Sequence, residues 1–199
     1  MIELDDVLVT ARFDNRLSGL RFALCAVREL GLVLSAAPDR VAEPLARVAD
    51  FTVQAMRRES RDHVVFALEA KSAGLRVDLH LALDGPTRRK WAEVTNSADR
   101  DVLLLDDDDD DFTTDATTSA GAAGQPVFIQ DEVFAAIEHP AGTSQGELGR
   151  VRLAHYPGRR LAPGETFRSR VALVSVAPAR GASSHFLDYI QARSVRPKQ

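Results

Sequence analysis

Residues 75–96 read LRVDLHLALDGPTRRKWAEVTN, and apolar side chains alternate through the first half of this stretch. Leu75, Val77, Leu79, Leu81 and Leu83 occupy every second position, with Arg76, Asp78, His80, Ala82 and Asp84 between them. A side-chain period of two belongs to an extended strand with one buried face. Gly85 and Pro86 then break any regular element. From residue 88 the chain resumes as a strand, with Arg89, Trp91, Glu93 and Thr95 on one side. The pair predicts an antiparallel hairpin.

The same logic extends outward. Residues 96–101 read as a turn and VLLLD as a third strand. PVFI and EVFAAIEH flank a short QD turn. GRVRLAHYPG sets Val151 and Leu153 against Arg152 and Ala154, and ETFRSRVALVSVA reads as one alternating strand through Phe167, Val171 and Leu173. About ten short strands separated by turns predict an all-β sandwich or barrel. A helix is expected over residues 183–193, with Phe186, Leu187 and Ile190 on roughly one face and Ser183 or Ser184 as N-cap. Residues 20–34 fit helix and strand equally, and residues 113–125 form a small, polar, exposed loop.

The chain has 199 residues, 45% apolar and 27% charged, which suits one folded domain. A lone cysteine, Cys25, rules out an internal disulfide and, in its Leu/Ala-rich setting, reads as a buried inert thiol. The start MIELDDVLVT lacks a signal peptide's basic and apolar regions, and no apolar run is long enough for a membrane span. A cytoplasmic location is the expectation. Residues 150–199 hold ten basic and two acidic side chains, while the rest of the chain is acidic. The arginines are scattered with little aromatic interleaving, so nucleic acid is not an expected partner.

Residues 103–112, LLLDDDDDDF, carry six consecutive aspartates. A calcium loop of the EF-hand type needs spaced oxygens, a central glycine and a distal glutamate, and none is present. Flanking apolar residues favour a strand, in which Asp106, Asp108 and Asp110 face outward if Asp107 and Asp109 face inward. No metal site, cofactor or catalytic residue is assigned: histidine spacing matches no zinc motif, and there is no nucleophile elbow or phosphate loop. Trp91 and Tyr156 offer aromatic faces suited to a sugar ring, though single aromatics on strands more often pack. Glu138, His139 and His155 supply polar groups. Glu138 and His139 face opposite ways on a strand and can meet one ligand only where the strand has ended; a strand end followed by a turn is the plainer reading. These five residues are the candidate carbohydrate contacts.

Three ordered stretches, residues 88–106, 126–142 and 151–190, resemble the N-terminal β-supersandwich domain of α-galactosidase or melibiase-like glycoside hydrolases, a galactose-mutarotase-like fold. The resemblance covers about residues 80–190, and residues 1–75 match loosely. It implies a single sandwich domain over residues 1–199, with residues 191–199 leading toward a catalytic barrel that this length cannot also hold. The function it implies is a non-catalytic, carbohydrate-associated domain. A catalytic barrel in cis or in trans, a carbohydrate and a second copy of the chain are the expected partners. Two alternatives remain: a stand-alone hexose mutarotase or epimerase, and a protein-interaction sandwich.

Overall fold

The computed structural model describes the backbone of residues 2–5, 8–14, 21–24, 32–35, 51–147, 149–177 and 181–193; of the side chains, those of residues 1–50, 72, 105–109, 111 and 113 lie outside the description. The described strands are β1 (Ile2–Asp5), β2 (Leu8–Asp14), β3 (Arg21–Leu24), β4 (Leu32–Ser35), β5 (Thr52–Ser60), β6 (His63–Ala70), β7 (Leu75–Asp84) and β8 (Thr87–Asn96). They continue as β9 (Val102–Thr113), β10 (Val127–Ile129), β11 (Val133–Ile137), β12 (Thr143–Glu147), β13 (Arg150–His155), β14 (Arg159–Leu161), β15 (Thr166–Arg168) and β16 (Ala172–Val176). One helix, α1 (Ala182–Arg193), follows. The expected all-β fold with a short C-terminal helix is observed.

The predicted hairpin is β7–β8, paired from Leu75↔Asn96 to Asp84↔Thr87. It is the centre of an eight-stranded antiparallel sheet ordered β10-β11-β16-β8-β7-β6-β5, with β15 beside β16 on the same edge of β8. A second sheet is built on β9, with β13 and β14 along one edge, β4 along the other and β12 outside β13. Strands β1–β3 form a separate small sheet. Alternate residues of β6, β7 and β8 meet Val102, Leu104 and Leu161 of the second sheet in one core cluster. A second cluster joins β10, β11 and β16 to Val151 and Leu153. Burying each such aliphatic side chain contributes about 1.5–3 kcal/mol.

The aspartate run lies in β9, as the strand reading expects, but strict alternation fails within it. Registers shift opposite Val33/Leu34 of β4 and again opposite Leu153/Ala154 of β13. Each extra residue in a bulge reverses the in–out phase. The two shifts together restore the phase, so Asp110 lies in step with buried Val102 and Leu104 and is itself wholly buried, not outward. It meets Arg88 and Lys90, which the inward phase of β8 points across the layers; Lys90 Nζ donates to Asp110 at 3.2 Å and Arg88 donates to its other oxygen. The expected orientations of Asp106 to Asp109 concern side chains outside the description.

Further expectations are corrected. ETFRSRVALVSVA is two strands, β15 and β16, broken at residues 169–171. β16 is buried on both faces rather than alternating, because Ala172, Val174 and Val176 face the interlayer core while Leu173 packs under α1. The N-cap acceptor of α1 is neither Ser183 nor Ser184 but Asp131, in the β10–β11 turn, whose side chain and carbonyl both accept from Ala182 N. The buried stripe of α1 runs through Phe186 and Tyr189, while Leu187 is 57% exposed. Of residues 20–34, the described parts are strand, and Cys25 lies outside the described residues. Among the described residues no helix is long and apolar enough to cross a membrane.

Candidate functional site

β11 ends at Ile137, and the chain turns at once: His139 N donates to the Ile137 carbonyl and Gly142 N to that of His139. Beyond the strand end, alternation no longer separates Glu138 from His139. Both line a cavity of about 550 Å³ between this turn, the end of loop 114–126 and the underside of α1. Ile137, Leu173, Phe186 and Ile190 supply apolar lining, and Gln125 and Ser144 add polar groups.

Glu138 is held from several directions. Arg89, on the outer face of β8, donates to one carboxylate oxygen at 2.6 Å. Tyr189 donates to the other, with Arg193 Nε at 3.4 Å. Arg193 also pairs with Asp84 in the β7–β8 hairpin and lies 3.9 Å over the Tyr189 ring. Burial and the Glu138 carboxylate push the Tyr189 hydroxyl up from its ordinary pKa, so it stays a hydrogen-bond donor. Charge is balanced within this group, and the Glu138 oxygens are occupied by donors.

His139 Nδ1 accepts from Ala141 N at 3.2 Å, an arrangement that leaves the ring's N–H at Nε2. Its ring packs edge-on against His155, 5.1 Å away, at the end of β13. His155 is itself 9% exposed and does not line the cavity, while Tyr156, the next residue, is 54% exposed. Trp91 lies elsewhere, on the outer face of β8. His80 stacks on it at 4.7 Å, the Arg168 guanidinium sits 5.1 Å over it from the opposite neighbouring strand, and His63 touches it at 5.3 Å. The five candidates thus divide among three places, and only Glu138 and His139 share the cavity. Sequence reasoning missed Arg89, Tyr189 and Arg193. The i, i+3, i+4, i+7 spacing of Phe186, Tyr189, Ile190 and Arg193 was the available signal for the last two.

The buried imidazoles carry a pH consequence. His80, His155 and His185 are each held below the ordinary histidine value, in every case chiefly by burial. His80 Nδ1 shares a hydrogen with His63 Nε2 at 3.1 Å, so protonating both rings places like charges in contact. A depressed folded-state pKa means the unfolded chain binds more protons as pH falls below about 6.5. The stabilising contribution is complete above that value and is lost as pH falls through the folded-state pKa. The urea midpoint is expected to hold above neutrality and to decline between about pH 6.5 and pH 5, with a shallower decline in His80→Gln. An unchanged slope in that variant would remove the imidazole pair from the explanation.

No protein-family model matches the sequence, and no curated protein does. Solved structures do. The α-galactosidase from Lactobacillus brevis superposes with a TM-score of 0.51 at 13% identity, over 86% of this chain and 31% of that one. The galactosidase domain of an α-galactosidase–sucrose kinase gives 0.51 at 9% identity, over 87% of this chain and 36% of that one. The fold is that of a β-rich part of α-galactosidases. A GH36 α-galactosidase from Geobacillus stearothermophilus matches at a TM-score of 0.49 and 11% identity, over 74% of this chain and 30% of that one. The chain spans about a third of the length of the α-galactosidases it matches.

Proposed function

We propose that the chain acts as a non-catalytic, carbohydrate-associated β-sandwich domain of an α-galactosidase-like protein, working beside a catalytic barrel in cis or in trans. The observation that carries this reading is the coverage: 86–87% of the chain superposes on 31–36% of α-galactosidase structures. Glu138 and His139 are the proposed sugar-facing residues, with His155 supporting the His139 ring. Trp91 contributes as a sugar platform only if Arg168 leaves its face, and Tyr156 offers an exposed ring beside the end of β13.

The site argues against independent chemistry. Glycoside hydrolysis needs two carboxyl groups across the scissile bond, one acidic and one basic or nucleophilic. Hexose ring opening needs a free acid and a free base. Glu138 is the carboxylate of the cavity, and its oxygens are engaged by Arg89, Tyr189 and Arg193. The purified chain is therefore expected not to hydrolyse a chromogenic aryl α-galactoside. Turnover that persists through successive purification steps and tracks with the folded chain would contradict the non-catalytic assignment.

A further inference from the structure

We infer that the cavity beneath α1 binds one neutral hexose unit, free or at the end of a glycan. This rests on the carbohydrate-associated reading and adds to it a place and a ligand class. A volume of about 550 Å³ falls within the range of small-molecule sites. The lining is mixed in chemistry. Ile137, Leu173 and Phe186 supply apolar lining of the kind that suits the C–H face of a pyranose, and Gln125, His139 and Ser144 add polar groups.

Those polar groups are free to act. With Nδ1 accepting from Ala141, His139 presents Nε2–H as a donor. The Gln125 amide and the Ser144 hydroxyl, one a donor and acceptor pair and the other either, hold no side-chain hydrogen bond among the described residues. Together they match the mixed donor and acceptor edge of a sugar. The charged groups set the ligand's charge. Glu138 is matched by Arg89 and Arg193, and Arg193 by Asp84 as well. An anionic ligand would compete with Glu138 for the arginines, and a cationic one would compete with the arginines for Glu138. A neutral ligand leaves all these pairs intact.

The site also has a controllable entrance. Ile190 lines the cavity and is 43% exposed, so a larger side chain there closes the mouth without entering the core. The test is a titration of the isotope-labelled chain followed by amide chemical shifts. Galactose, glucose and methyl α-galactoside are the neutral ligands, with galacturonate and galactosamine as charged controls and indole as an apolar probe. The expected result is saturable, millimolar binding of neutral sugars, with shifts at Gln125, His139 and Ser144. Ile190→Trp should weaken it about tenfold or more, Gln125→Ala less, and the charged sugars should bind more weakly. Preference for the methyl glycoside over the free sugar would identify a glycan end, and the reverse a free hexose; both support the site. Sugar-dependent shifts that map to Trp91 or Tyr156 would keep the carbohydrate reading and overturn this location. Shifts from indole alone, with none from any sugar, would make the cavity an apolar pocket and overturn the ligand class.

Discussion

Replacing Asp110 with alanine is expected to destabilise the sandwich by about 3–5 kcal/mol, because it leaves two cations buried without their shared carboxylate. Arg88, Lys90 and Asp110 are 3%, 1% and 0% exposed, and Asp110 receives a hydrogen bond from each of the other two. Burial by itself pushes the Asp110 carboxyl up, but the charges and hydrogen bonds of Arg88 and Lys90 outweigh it and hold it below the usual carboxylate range. A depressed folded-state pKa contributes stability that is complete above the unfolded value, about 4, and is lost as pH falls through the folded one. Asp110→Asn keeps the shape and removes the charge. It should cost less than alanine and flatten the acid limb of the stability curve. Urea midpoints across pH are the measurement. A loss below about 1 kcal/mol in Asp110→Ala, typical of an exposed ion pair, would mean that water reaches the group.

The second large effect belongs to loop 114–126. Its backbone is stitched to the neighbouring strands: Gly146 N donates to Ala120 O, Ser144 N to Ala122 O and Gly124 N to Gly142 O. Such close backbone approach requires small residues. Gly121 has φ +69°, and a Cβ there would lie 2.3 Å from the Ser144 carbonyl oxygen and 2.7 Å from Val127 Cγ2. Gly121→Val combines the left-handed penalty, about 1–2 kcal/mol, with overpacking, about 1–3 kcal/mol. A control separates the two effects. Gly164 has φ +79° with nothing within 4 Å of its Cβ position, so Gly164→Val is expected to show the left-handed penalty alone. Equal melting-temperature losses in the two variants would show that the loop is not pressed against β12.

Much of the fold was legible in period two. The alternating leucines and valine of β7 face the core from Leu75 to Leu81, and only Leu83, near the hairpin end, is exposed by more than a third. What defeated the same rule was local. The run in β9 was phased on Asp107 and Asp109, whereas Val102 and Leu104 set the inward phase, and two register shifts that cancel carry it to Asp110. β16 lost its alternation because α1 covers its second face, a tertiary fact. The helix itself was readable, but its cap was not, since Asp131 is 51 residues from the N–H it accepts. The cavity was half visible. Glu138 and His139 stood out as neighbours just ahead of a turn, whereas Arg89, Tyr189 and Arg193 converge on Glu138 only once the sheet order brings β8, β11 and α1 together.

A sandwich that holds a sugar without transforming it must show contact and no turnover. One proton NMR experiment addresses both halves. Galactose is mixed with the chain, saturation transfer from protein to sugar reports contact, and exchange between the α and β anomers is followed in the same sample. Saturation transfer that disappears in Ile190→Trp, with anomer exchange no faster than in buffer, is the expected result. Accelerated exchange that depends on Glu138 or His139 would make the protein a mutarotase, and the absence of any transfer would remove the sugar from its function.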